Sequence, residues 1–122
     1  MITRYSGSPK EQKRAQRHRR VRSKIHGTSE RPRVAIFRSA RHIYAQAIDD
    51  DARTTLTSAS DMGLKSADKK TKSEIAYMVG EQLGKNLSEK NVKTIVFDRG
   101  GFRYHGRVKS LAEGIRSAKI DF

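Results

Sequence analysis

The sequence predicts an α/β fold in which a mixed sheet with an antiparallel meander carries two packed helices, behind a basic N-terminal arm. Three observations lead there. Short β-rich runs separated by turn residues fill residues 33–60. The apolar period then changes to that of a helix over residues 69–90, and again from Val108 onward. Ahead of both, residues 1–26 hold nine Lys and Arg against one acid, Glu11, so +8 of the net +14 lies in the first fifth of the chain.

The arm takes residues 1–30 and the domain residues 31–122. Between Lys10 and Ile25 the aliphatic residues are Ala15, Val21 and Ile25, too few for a stripe that packs on a core. Ser8 as N-cap and Pro9 at the first helical position fit a helix start. The arm is expected to be helical once its charges are neutralised and mobile otherwise. Arg4, Lys10, Lys13, Arg14, Arg17, Arg19, Arg20, Arg22 and Lys24, with His18 among them, have no evident use in stabilising a fold. They point to nucleic acid. A solvated charge run is the bland alternative, and a mitochondrial leader would need the apolar face missing here.

Residues 27–32 punctuate the chain, with Gly27 and Pro32 at the two ends. Residues 33–38 (RVAIFR) form the first strand. In residues 42–48, Ile43, Ala45 and Ala47 share one face, and His42, Tyr44, Gln46 and Ile48 the other. Asp49, Asp50 and Asp51 read as solvated turn carboxylates, and residues 54–60 as a Thr-rich third strand. Ile75, Val79, Leu83 and Leu87, widened by Ala76 and Met78, mark an amphipathic helix over residues 69–90. Thr71 and Glu74 have capping-box spacing, Asp68 offers an earlier cap, and Asn91 a left-handed stop. Residues 94–97 (TIVF) form a fourth strand. Val108, Leu111, Ala112 and Ile115 give the second helix, for an order β-β-β-α-β-α.

At 122 residues the chain suits one domain, and 34% hydrophobic residues, against a usual ~45–50%, make its core modest. It has no Cys, no run approaching the ~18 apolar residues of a membrane span, and no secretory apolar core in its first ten residues. A reducing, cytoplasmic setting is expected. His18, His26, His42 and His105 lack ligand spacing, and no nucleophile, phosphate-loop or zinc-protease motif occurs, so no catalytic residue, metal or cofactor is expected.

The informative segment is residues 98–107. Gly100, Gly101 and Gly106 admit close backbone approach, and the following helix start suits a phosphate. Arg99, Arg103 and Arg107 crowd that start, where the helix dipole disfavours cations unless an anion sits there. Phe102 and Tyr104 offer faces for a base, with His105 between them and the helix. One of the two aromatics is expected in the core. A second cluster on the first hairpin, Arg31, Arg33, Arg38, Ser39, Arg41, His42, Tyr44 and Gln46, suits phosphate and 2′-OH contacts as well as it suits a plain solvated face. A small DNA-compacting protein and, behind it, a metal-dependent nuclease stand as alternatives.

Arg31-Pro32-Arg33, Phe37-Arg38-Ser39, His42-Ile43-Tyr44-Ala45-Gln46 and Ile48-Asp49-Asp50 resemble the bacterial form of large-subunit ribosomal protein eighteen. Val96-Phe97-Asp98-Arg99-Gly100-Gly101 and Tyr104-His105-Gly106-Arg107-Val108 match that family's second signature, in order and spacing. The resemblance implies a structural, non-enzymatic protein of the cytoplasmic large ribosomal subunit. It implies binding to 5S rRNA and its attachment to 23S rRNA in the central protuberance, beside ribosomal protein five. A monomer outside the ribosome is expected, with no membrane partner.

Overall fold

The computed structural model describes residues 9–22, 25–63 and 70–122, with side chains from residues 9–17, 25–62 and 70–122. In chain order these residues form α1 (Pro9–Arg22), β1 (Arg33–Arg38), β2 (Ile43–Asp49), β3 (Thr54–Ser60), a 3-10 turn (Asp61–Gly63), α2 (Lys72–Glu89), β4 (Val96–Asp98) and α3 (Arg107–Ser117). None of the described helices is long and apolar enough to cross a membrane.

The strands lie in the order β3-β2-β1-β4, so the meander β1–β3 is antiparallel and β4 joins β1 in parallel. Alternation decides which face is covered. Val34 and Ile36, paired with Ala47 and Ala45, join Ile43 and Ala59 in one buried layer. Alanines in the middle of that layer leave room for α2, which packs there through Ala76, Val79, Leu83 and Leu87. Leu56 is left between the pairs Ile48–Thr55 and Ala47–Thr57, a bulge in β3.

Thr71 caps α2, its Oγ1 accepting the Glu74 N–H at 3.2 Å. At the other end Val92 N–H reaches Leu87 O at 3.0 Å, Asn91 N–H reaches Ser88 O at 3.0 Å, and Asn91 sits at φ 61°. That is the Schellman stop expected of this residue. The helix begins at Lys72, three residues later than its apolar period proposes; Asp68 lies outside the described residues. The fourth strand is shifted onto residues 96–98, because Thr94 instead bridges to Asp121. α3 crosses α2 closely at glycines. A Cβ on Gly114 would lie 2.2 Å from Tyr77 O, and one on Gly80 2.1 Å from Leu111 O.

The acidic turn is not the solvated triplet expected from its sequence. Asp49 is 7% exposed, and its Oδ1 accepts the Asp51 and Ala52 N–H groups at 3.0 and 3.2 Å. Asp50 accepts from Arg33 Nε and NH2, both at 3.0 Å, and from Gly27 N–H at 2.7 Å. Only Asp51 is exposed, paired with His26 Nε2 at 2.6 Å. Arg33 NH1 also donates to Asp98 Oδ2 at 3.0 Å, and Asp98 is fully buried. The hydrogen bond to Asp50, followed by the charges of both carboxylates, holds the Arg33 guanidinium above its ordinary pKa against the opposing effect of burial. One side chain thus ties the β2–β3 turn to the end of β4.

Arg33→Met removes the guanidinium that bridges Asp50 and buried Asp98, so it should lower unfolding stability by about 3–5 kcal/mol. RNA affinity of the folded fraction should stay unchanged, since Arg33 is turned inward. Denaturant unfolding beside filter binding checks both; unchanged stability with weakened binding would reverse this assignment.

Candidate nucleic-acid interface

The interface is built around Phe102. Gly100 and Gly101 have φ of 64° and 79°, and Phe102 N–H bonds Arg99 O at 3.1 Å. Two consecutive positive φ values make a mirror-image turn that glycine adopts without strain. Asp98 Oδ1 steadies it through the Gly100 N–H at 2.9 Å. The turn folds Phe102 back so that its ring is half-buried against the core.

Two arginines meet that ring. The guanidinium carbons of Arg14, on α1, and Arg38, ending β1, each lie 4.7 Å from its centroid. Arg17 Nε adds a bond to Gly101 O at 3.3 Å. The arm therefore docks without an apolar stripe, through cationic side chains on an aromatic face and a backbone carbonyl. α1 is a helix over Pro9–Arg22, in keeping with the Pro9 start read from the sequence.

Between α1 and the loop lies a cleft of about 830 Å³. Lys10, Lys13, Arg14 and Arg17 line one side, Arg103, His105, Gly106 and Arg107 the other, with Arg38 and Lys72 closing it. None of the described lining residues is acidic. Arg107 donates from NH1 to Ser39 O at 2.8 Å, while its Nε is buried without a hydrogen-bond partner. Burial first, then the charge of Arg38, lowers the Arg107 pKa, partly offset by Asp61. A cation held this way gains from an anion placed beside it.

The glycines divide their roles. Gly101 is buried, and a Cβ on Gly100 would lie 3.2 Å from Ile36 O and 3.6 Å from the Phe102 ring. Both serve the turn, and Gly101 also lines the cleft. Gly106 is exposed at φ 55°, opens α3 with no side-chain cap, and has nothing within 4 Å of a Cβ position. The helix start with room for a phosphate is there.

Arg99, Arg103, Tyr104 and His105 are exposed. Tyr104 stands edge-on to Phe97 at 6.3 Å, so Phe102 is the aromatic turned toward the core. On the hairpin, Arg31, Arg38, Ser39, Arg41, His42 and Tyr44 are exposed and Gln46 is half-buried. Ser39 Oγ accepts the His42 N–H at 3.1 Å, and His42 Nδ1 faces Asp61 at 3.2 Å. Arg33 leaves this set for the interior. Arg4, Ser8 and Lys24 lie outside the described residues, as do the side chains of His18, Arg19, Arg20 and Arg22. Lys72 was not foreseen, since only the tertiary path brings the start of α2 to the loop. Among the described residues no group of His, Asp and Glu could hold a metal ion.

Deleting residues 1–26 removes α1 and, among the described residues, no buried one, since Gly27 and Pro32 are the first that are buried. Thermal unfolding should stay cooperative with its midpoint little changed, while RNA affinity and its salt slope both fall. Loss of cooperativity would make the arm part of the core.

Residues 8–122 match the family described as ribosomal L18 of archaea, bacteria, mitochondria and chloroplasts. A protein of Kosmotoga olearia named large ribosomal subunit protein uL18 is 54% identical over 112 residues, covering 89% of this chain and 92% of its own. Proteins of the same name from Thermotoga petrophila and Staphylococcus aureus are 52% identical over 116 residues and 50% over 109. The alignments cover 93% and 89% of this chain, and 95% and 92% of those relatives. With one family model spanning nearly the whole sequence, and relatives of that name 50–54% identical over about nine-tenths of it, the chain belongs to the ribosomal L18 family.

Proposed function

We propose that this protein binds 5S rRNA and helps attach it to 23S rRNA in the central protuberance, beside ribosomal protein five. Family membership already makes it a structural, non-enzymatic protein of the cytoplasmic large ribosomal subunit, among rRNA and other ribosomal proteins. The observation that carries the RNA reading is the cleft. Lys10, Lys13, Arg14, Arg17, Arg38, Lys72, Arg103 and Arg107 converge on it with no acid in its described lining. At an effective dielectric of about 20, two unit charges 4 Å apart repel by roughly 4 kcal/mol. A phosphate strand turns that repulsion into attraction. The backbone would run between α1 and the loop, with one phosphate at Gly106 and Arg107 and the hairpin cations Arg31 and Arg41 outside it.

Binding to 5S rRNA should survive excess tRNA competitor. If roughly six to ten phosphates are engaged, affinity should fall about 10³–10⁵-fold between ~50 and ~200 mM salt, or less steeply on unpaired strands. Arg107→Ala should weaken binding by about 1.5–3 kcal/mol. It should barely change stability, since the lost bond to Ser39 O is offset by relief of the unpartnered Nε. Equal competition by tRNA, or affinity nearly flat in salt, overturns the reading.

A further inference from the structure

The sheet face opposite α2 carries a feature that the cleft does not use. Phe37 and Tyr44, partners across β1 and β2, stack at 4.9 Å with planes 16° apart. They leave 40% and 42% of their surface to solvent. We infer that this stacked pair is a platform for an unpaired base of the bound RNA. The inference rests on the RNA-binding reading and adds to it a kind of nucleotide and a mode of contact.

Three observations favour a base as the occupant. First, the platform and the cleft meet at the end of β1, on its two sides. Phe37 and Arg38 are consecutive in β1, so their side chains leave the strand on opposite sides. Arg38 lies on Phe102 at the cleft, and Phe37 lies on the open face. A strand whose phosphates follow Arg38 reaches the rings by turning around the end of β1, one residue away. Second, the cross-strand partners in β3 are uncharged hydroxyl residues, with the titratable pair His42 and Asp61 beyond them at the end of the face. Tyr44 pairs with Ser60, and Gln46 with Ser58. Hydroxyl and amide groups suit base edges and 2′-OH. Third, the apolar surface offered is two rings wide, far below the ~800 Å² per partner of a stable protein interface, whereas one base needs no more than that. A chain of net charge +14 favours the polyanion. A purely structural role as a cross-strand pair would leave RNA affinity indifferent to the rings.

The test compares 5S rRNA with a fully paired RNA duplex, using Tyr44→Ala, Tyr44→Leu and Tyr44→Phe, each checked for folding by circular dichroism. Tyr44→Leu keeps Phe37 covered should the alanine variant fail to fold. Losing one stacked base should weaken 5S rRNA binding about 5- to 150-fold in the Ala and Leu variants. The salt slope should not move, because stacking releases no counterions. Tyr44→Phe should bind as the wild type does, and duplex affinity should be the same for all four proteins. Folded Ala or Leu variants that hold 5S rRNA as the wild type does overturn the platform, as does an equal loss on the duplex. The former outcome would leave the pair to hairpin stability or a protein partner. Failure of the wild type itself to prefer 5S rRNA over tRNA would instead overturn the function proposed above, so the two failures are distinguishable.

Discussion

Two guanidinium groups on one phenylalanine ring hold this molecule's basic parts together. Arg14 brings the arm and Arg38 the end of β1 to Phe102, each at 4.7 Å. A cation on an aromatic face is worth about 0.5–2 kcal/mol, more where water is excluded. The like charges gathered around the ring oppose it. The docked arm is thus held by small attractions against a repulsion of similar size. A phosphate strand in the cleft changes the sign of the opposing part. On the proposed function, arm docking and RNA binding are therefore coupled, and each strengthens the other.

The same residue type serves two ends, and burial beside acids separates them. Arg33 meets Asp50 and Asp98 inside the sheet and acts as a clamp between strands. Among the described residues Arg107 meets no acid at hydrogen-bond distance, donates to a carbonyl and keeps a buried Nε without a partner. Asp49, Asp50 and Asp98 are spent inside the fold, where they cap turns and hold Arg33. The cations of the cleft are left without acidic neighbours in its described lining. The division of the molecule into a folded sheet and a charged cleft follows from where those carboxylates went.

What the sequence made legible is what short-range physics writes into it. The alternation of Ile43, Ala45 and Ala47, the Thr71 cap, the Asn91 stop and the stripe of α3 are each set by neighbours within a few residues. The cleft was legible in its halves: a basic arm and a glycine–arginine loop. Their meeting was not, since Arg17 and Gly101 are 84 positions apart. Arg33 was assigned to RNA because its partner Asp98 lies 65 positions away, beyond any local pattern. Asp50 reads as solvated for the same reason, with its partners Gly27 and Arg33 lying 23 and 17 positions away, whereas Asp49 is taken up by the N–H groups of its own turn. The close crossing at Gly80 and Gly114 gave no periodic signal, because glycine registers as an absence of side chain until the two helices are seen face to face.

The central claim is that arm and loop hold one and the same RNA strand. A double-mutant cycle measures this most directly, with Lys13→Ala on α1 and Arg107→Ala at the start of α3 read out as 5S rRNA affinity. Groups that share a bound strand should couple, by 0.5 kcal/mol or more on the usual scale of about 0.5–3 kcal/mol. Losses that add within about 0.3–0.5 kcal/mol would show two independent contacts and contradict the shared cleft.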